Sequence, residues 1–95
     1  MTDHEPVLIQ LQQLDPAALR DFHQRFYEPV ARYVQFKVGD QHTVEDLCGE
    51  TFVRALEAFQ RGQGWQDSAR GWVMGIARNV VADHYRRSGR RNEVS

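Results

Sequence analysis

From Leu19 onward the apolar residues of this chain return every three or four positions, in three successive stretches separated by glycine, and that spacing commits it to helices. Leu19, Phe22, Phe26, Val30, Tyr33 and Val34 form the first stripe. Val44, Leu47, Cys48, Thr51, Phe52, Ala55, Leu56 and Phe59 form the second. Val73, Ile76, Ala77, Val80 and His84 form one face of the third, with Met74, Arg78, Val81, Tyr85 and Arg86 towards another. No run alternates at the period of two that a strand would need, and no internal repeat is present.

Local signals place the ends. Asp15 is a candidate N-cap with Pro16 at the first helical position, and Gly39-Asp40 closes that helix. Pro29 lies inside it and predicts a kink, because proline removes a backbone donor and crowds the preceding turn. Thr43-Val44-Glu45-Asp46 has the form of a capping box opening the second helix. Gln60 to Gln66 carries Gly62 and Gly64 and reads as a loop, with Asp67 or Ser68 capping a third helix that runs to about Arg87. Val7 to Leu14 has apolar residues enough for a short helix with one sticky face. The expected fold is all-α, a compact bundle of three main helices plus a short N-terminal one. Residues 1–14 hold the short helix and residues 15–87 the helical domain, while residues 88–95 form a frayed tail or the start of a linker.

At 95 residues, with 41% hydrophobic and 26% charged side chains, the chain is a single domain that should fold. Asp3 and Glu5 precede only a short apolar patch, so neither a signal peptide nor a membrane span is expected, and the expected location is the cytoplasm. The one cysteine, Cys48, has no partner for an internal disulfide, and His4, His23, His42 and His84 lack metal-ligand spacing. No metal is implied. The net charge of −1 conceals a division. Residues 1–60 hold ten carboxylates against five cations, and residues 61–95 hold seven arginines against three carboxylates. A basic C-terminal third attracts a phosphate backbone, and the acidic part must face something else.

Catalysis is not expected. Gly62 and Gly64 have no strand before them and no lysine or third glycine after them, so no nucleotide cofactor or small-molecule substrate is implied. Asp46 and Glu50 stand one turn apart on a solvated helix face, the arrangement of an acidic surface more than of an acid/base pair. No serine or cysteine is placed beside a plausible base.

The succession of an aromatic-rich helix, the run Val44-Glu45-Asp46-Leu47-Cys48-Gly49-Glu50-Thr51-Phe52, a glycine loop, and Trp72-Val73-Met74-Gly75-Ile76-Ala77-Arg78-Asn79 leading to Asp83-His84-Tyr85-Arg86-Arg87 resembles region 2 of the extracytoplasmic-function sigma factors. The resemblance runs from about Leu19 to Arg87. It implies an adaptor that binds core RNA polymerase and recognises and helps open the −10 promoter element. By the same resemblance Asp46, Leu47, Glu50 and Val53 contact the clamp helices of the largest polymerase subunit, where a carboxylate can accept paired hydrogen bonds from arginine. Leu47 also belongs to the apolar stripe and can equally be core.

The resemblance further puts Arg54, Trp65, Trp72, Met74, Arg78, Asn79, Arg86 and Arg87 near the non-template strand of promoter DNA. Trp65 would stack on a base flipped out of the helix, or else fold back on the core. Trp72 would pack at the upstream edge of the melted region, or serve as a core anchor. Asn79 would read a base edge, and Arg78, Arg86 and Arg87, with Arg90 and Arg91, would neutralise phosphates. An anti-sigma factor is the expected regulator.

Three departures stand out. Gly49 takes the place of a usual glutamine, Gly75 that of a larger and often basic side chain, and the second helical domain of the family does not follow Ser95. A domain separated from a longer protein is therefore expected. The alternatives are a region-2-only or split sigma subunit acting through a partner, and a pure interaction module that sequesters one.

Overall fold

The computed structural model describes residues 7–94, with side chains through residue 89. The N-terminal residues 1–6, with the charges of Asp3 and Glu5, and the side chains of Arg90 and Arg91 lie outside the described residues. Four helices follow one another: α1 (Leu8–Gln12), α2 (Pro16–Val38), α3 (Gln41–Gln60) and α4 (Ala69–Val94). The long three pack against each other in all three pairs, and α1 lies across α2 and α3.

Helix α2 begins as its sequence dictates, with the Asp15 carboxylate accepting the Ala18 amide at 2.9 Å and Pro16 at N1, and it runs unbroken through Pro29. Gly39 stops it at φ 79°, a left-handed conformation that glycine adopts without a Cβ clash. Helix α3 starts three residues earlier than the capping-box reading. Asp40, not Thr43, is the N-cap, accepting both the amide and the hydroxyl of Thr43. Thr43 thus occupies N3, and the box form of Thr43 to Asp46 is incidental to the start. Ser68 caps α4 by accepting the Gly71 amide at 3.0 Å, which decides between the two candidates there. Helix α4 continues to Val94 instead of ending near Arg87. Residues 88–94 contain no proline, and Arg90, Arg91 and Glu93 favour helix without needing an apolar stripe, which outweighs Gly89, so apolar periodicity fails before the helix does.

The core is built on rings. Phe22 lies at 5.1 Å from Phe26, 5.3 Å from Phe59 and 6.0 Å from Phe52, and the two tryptophans close around it at 6.3 Å and 6.5 Å. Val30 and Val34 of α2, Val44 and Leu47 of α3, and Val73, Ala77 and Val80 of α4 fill the remainder. Thr51 is the buried polar residue among these, and its hydroxyl donates to the Leu47 carbonyl at 2.8 Å, so its oxygen is satisfied. Burial pushes the Cys48 thiol above its ordinary pKa and keeps it protonated, which makes it a packing residue. No helix among the described residues is long and apolar enough to cross a membrane.

Candidate functional site

The loop between α3 and α4 is held from both sides. Gly62 turns it at φ 75°, Gln12 of α1 donates to the Gln63 carbonyl at 3.2 Å, and Leu8 packs against Gly64, where no side chain stands in its way. The loop then delivers Trp65 onto the ring of Phe22, nearly parallel at 5°, and to within 6.0 Å of Trp72. Trp72 stacks in turn on Phe59 at 5.2 Å. Both tryptophans are half-buried core residues and both also line an open cleft of about 480 Å³ with Gly64, Gln66, Asp67, Ser68 and Gly71. Packing on the core thus leaves each indole still able to line the cleft. Neither indole N–H has a hydrogen-bond partner among the described residues.

Beyond the cleft, the outward face of α4 carries small residues and polar ones. Gly75 is open, and a Cβ there would meet only the Arg78 guanidinium, at 3.9 Å. Arg78 and Asn79 are exposed, as are Arg86 and Arg87. Met74 differs from them: it is half-buried and packed against the core, so only part of its side chain is available to a ligand.

On α3, Asp46 and Glu57 are exposed and Val53 is 53% exposed, while the Asp46 carboxylate lies 3.6 Å from His42. Leu47 is withdrawn from this face. It is only 4% exposed, because its position one turn after Val44 and one before Thr51 puts it on the buried stripe of α3, and it is core. Gly49 lies open at the centre of the exposed face, with nothing near the site of a missing Cβ.

Glu50 and Arg54 meet each other, although one was expected on a protein face and the other on DNA. Arg54 Nη2 donates to Glu50 Oε2 at 2.6 Å and to Asp83 Oδ2 at 3.0 Å, and Arg86 pairs with the other Asp83 oxygen. Arg54 is thus engaged at the seam between α3 and α4, bonded to two carboxylates at once. Asp83, which sequence reasoning missed, joins the two helices. The two partners lie 29 residues apart on different helices, a separation that no local spacing rule reaches.

The hydrogen bond from Arg54 holds the Asp83 carboxyl below its ordinary pKa against the opposing effect of burial, and the Arg86 charge adds to it. The Asp40 carboxyl is lowered by the Thr43 amide and hydroxyl. Folded-state pKa values below the unfolded ones mean that both groups stabilise the fold fully above the ordinary carboxylate range and lose that contribution as pH falls through it. Urea midpoints should therefore hold between pH 7 and 5 and drop below about pH 4. Asp83→Asn should flatten part of that acid drop; an unchanged acid profile would remove Asp83 from the account.

Residues 22–91 match the sigma-70 region 2 family, and the chain belongs to that family. The ECF RNA polymerase sigma factor BldN of Streptomyces coelicolor is 38% identical over 73 residues, which cover 77% of this chain and 28% of that protein. The ECF RNA polymerase sigma factor SigC of Mycobacterium tuberculosis is 42% identical over 69 residues, covering 73% and 36%. SigX of Bacillus subtilis, another ECF factor, is 30% identical over 66 residues, covering 70% and 31%. The branch is thus the extracytoplasmic-function one, and the chain spans about a third of the length of these relatives. No solved structure matches it.

Proposed function

We propose that this chain is the part of a cytoplasmic sigma factor that joins core RNA polymerase to the −10 element. The exposed face of α3 docks on the clamp helices of the largest subunit, with Asp46 and Glu50 accepting hydrogen bonds from basic side chains and Val53 supplying apolar contact. The cleft between the loop and the start of α4 takes an unpaired base of the non-template strand, against Trp65 and Trp72. The observation that carries this reading is the cleft itself: two indoles, each with one face packed, with Arg78 and Asn79 exposed about two turns further along α4. Asn79 reads a base edge, and Arg78, Arg86 and Arg87 position phosphates. The chain supplies binding energy and specificity and carries out no reaction. An anti-sigma factor would restrain it by covering the α3 face.

The two kinds of contact separate in a DNA-binding titration of the polymerase-bound chain. Asn79→Ala should lose discrimination at one base, by about 1–3 kcal/mol, and leave the salt dependence alone. Arg78→Ala should weaken all sequences alike and reduce the salt slope by about one ion. Equal effects of both variants on matched and mismatched promoters would contradict the assignment.

A further inference from the structure

Phe36, in the last turn of α2, is 84% exposed, more than any other large hydrophobic side chain among the described residues. It contributes almost nothing to the core, and it does not stand alone. Lys37 Nζ lies 5.8 Å from the centroid of the Phe36 ring and 5.8 Å from that of Tyr33, a cation held against two aromatic rings. Tyr85 of α4, itself 50% exposed, donates its hydroxyl to the Lys37 carbonyl and fastens this turn to α4. Tyr85 follows Arg78 by seven residues, two helical turns, so the two share one stripe of α4. The aromatic cluster is therefore continuous with the stripe that carries Arg78.

We propose that Tyr33, Phe36, Lys37 and Tyr85 form a second nucleic-acid contact, in which an unpaired base stacks on Phe36 and Lys37 neutralises a neighbouring phosphate. The charges nearby favour a polyanion. Lys37 and, on α4, Arg78 and Arg87 supply the cations. Asp83 is already bridged by Arg54 and Arg86 and Glu28 by Arg32, which leaves Asp40, hydrogen-bonded to the uncharged Thr43, as the carboxylate near Lys37 that keeps its charge. A flat exposed ring beside a flexible cation is the usual platform for single strands, and it tolerates any base. From Gly71 at the cleft to Tyr85 the helix rises about 21 Å, close to six nucleotide steps of stacked strand. One strand can thus reach both contacts. This inference rests on the proposed reading of α4 as the DNA face.

The test uses the chain bound to core RNA polymerase and two promoter fragments, one fully duplex and one with the −10 region unpaired. Phe36→Ala should weaken the unpaired fragment about tenfold and the duplex much less, and Phe36→Trp should restore binding. Lys37→Ala should lower the salt slope by about one. Because Phe36 is so exposed, its replacement leaves folding intact, which circular dichroism checks. If Phe36→Ala instead weakens polymerase affinity and leaves DNA binding of the loaded complex unchanged, the cluster is a protein contact and the inference is overturned. If neither variant changes anything while Arg78→Ala still weakens DNA binding, the inference fails and the proposed function stands. Loss of every DNA effect, that of Arg78→Ala included, would sink both.

Discussion

Replacing Phe22 with alanine should cost about 3–5 kcal/mol of folding stability. The ring touches those of Phe26, Phe52, Phe59, Trp65 and Trp72, so its loss leaves a cavity at the point where all three long helices and the loop converge. Domains of this size hold only about 5–15 kcal/mol in total, and each kcal/mol moves the melting temperature by about 4–8 °C, so a fall of more than about 12 °C is expected. Thermal melts followed by circular dichroism measure it. The same variant should expose the indoles, because Trp65 loses the ring on which it stacks, and tryptophan emission should shift to the red before global unfolding. A Phe22→Ala protein with wild-type melting and emission would contradict the packing described here.

The second large effect concerns the α3 face. Asp46→Ala combined with Glu50→Ala should weaken binding to core RNA polymerase by about 3 kcal/mol, roughly a hundredfold, if both carboxylates accept charged hydrogen bonds there. The two are not equivalent. Asp46 is exposed and lies 3.6 Å from His42, whereas Glu50 is already bonded to Arg54 at 2.6 Å, so a polymerase cation must compete for it. Asp46→Ala alone should therefore cost more than Glu50→Ala alone. Both positions tolerate alanine in the helix, and Arg54 retains Asp83 when Glu50 is removed, so the fold should persist. Equilibrium binding of the three variants to core polymerase decides the order; equal or absent losses would contradict it.

Helices, their caps and the core stripes were legible because they are local. Asp15 with Pro16, Gly39, and the recurrence of Phe22, Phe26, Val30 and Val34 each act within a turn or two of the chain. The error at the start of α3 had the same local origin. Asp40 and Thr43 are both good capping residues three positions apart, and the sequence cannot say which one sits outside the helix until the Gly39 turn is built. Which side chains of α3 face outward was legible, but not how they are wired to one another. Helical spacing put Asp46 and Val53 outside, whereas Leu47 lay on the edge of the stripe and only tertiary packing decides it. The Arg54 to Asp83 pair and the contact of Tyr85 with Lys37 bridge separate helices, and tertiary geometry alone creates them.

Gly49 illustrates how the two levels interact. A glycine within α3 weakens the helix by up to about 1 kcal/mol relative to alanine, yet the space where its side chain would stand is open. Nothing in the packing requires glycine there.

The most direct measurement of the central claim is the affinity of a −10 non-template single strand for this chain, alone and bound to core RNA polymerase, at physiological salt. With a net charge of −1 the free chain should bind weakly, and the polymerase-bound chain should bind the matched strand well and a scrambled strand poorly. Sub-micromolar binding by the free chain, or failure of the polymerase-bound chain to distinguish the two strands, would contradict the account.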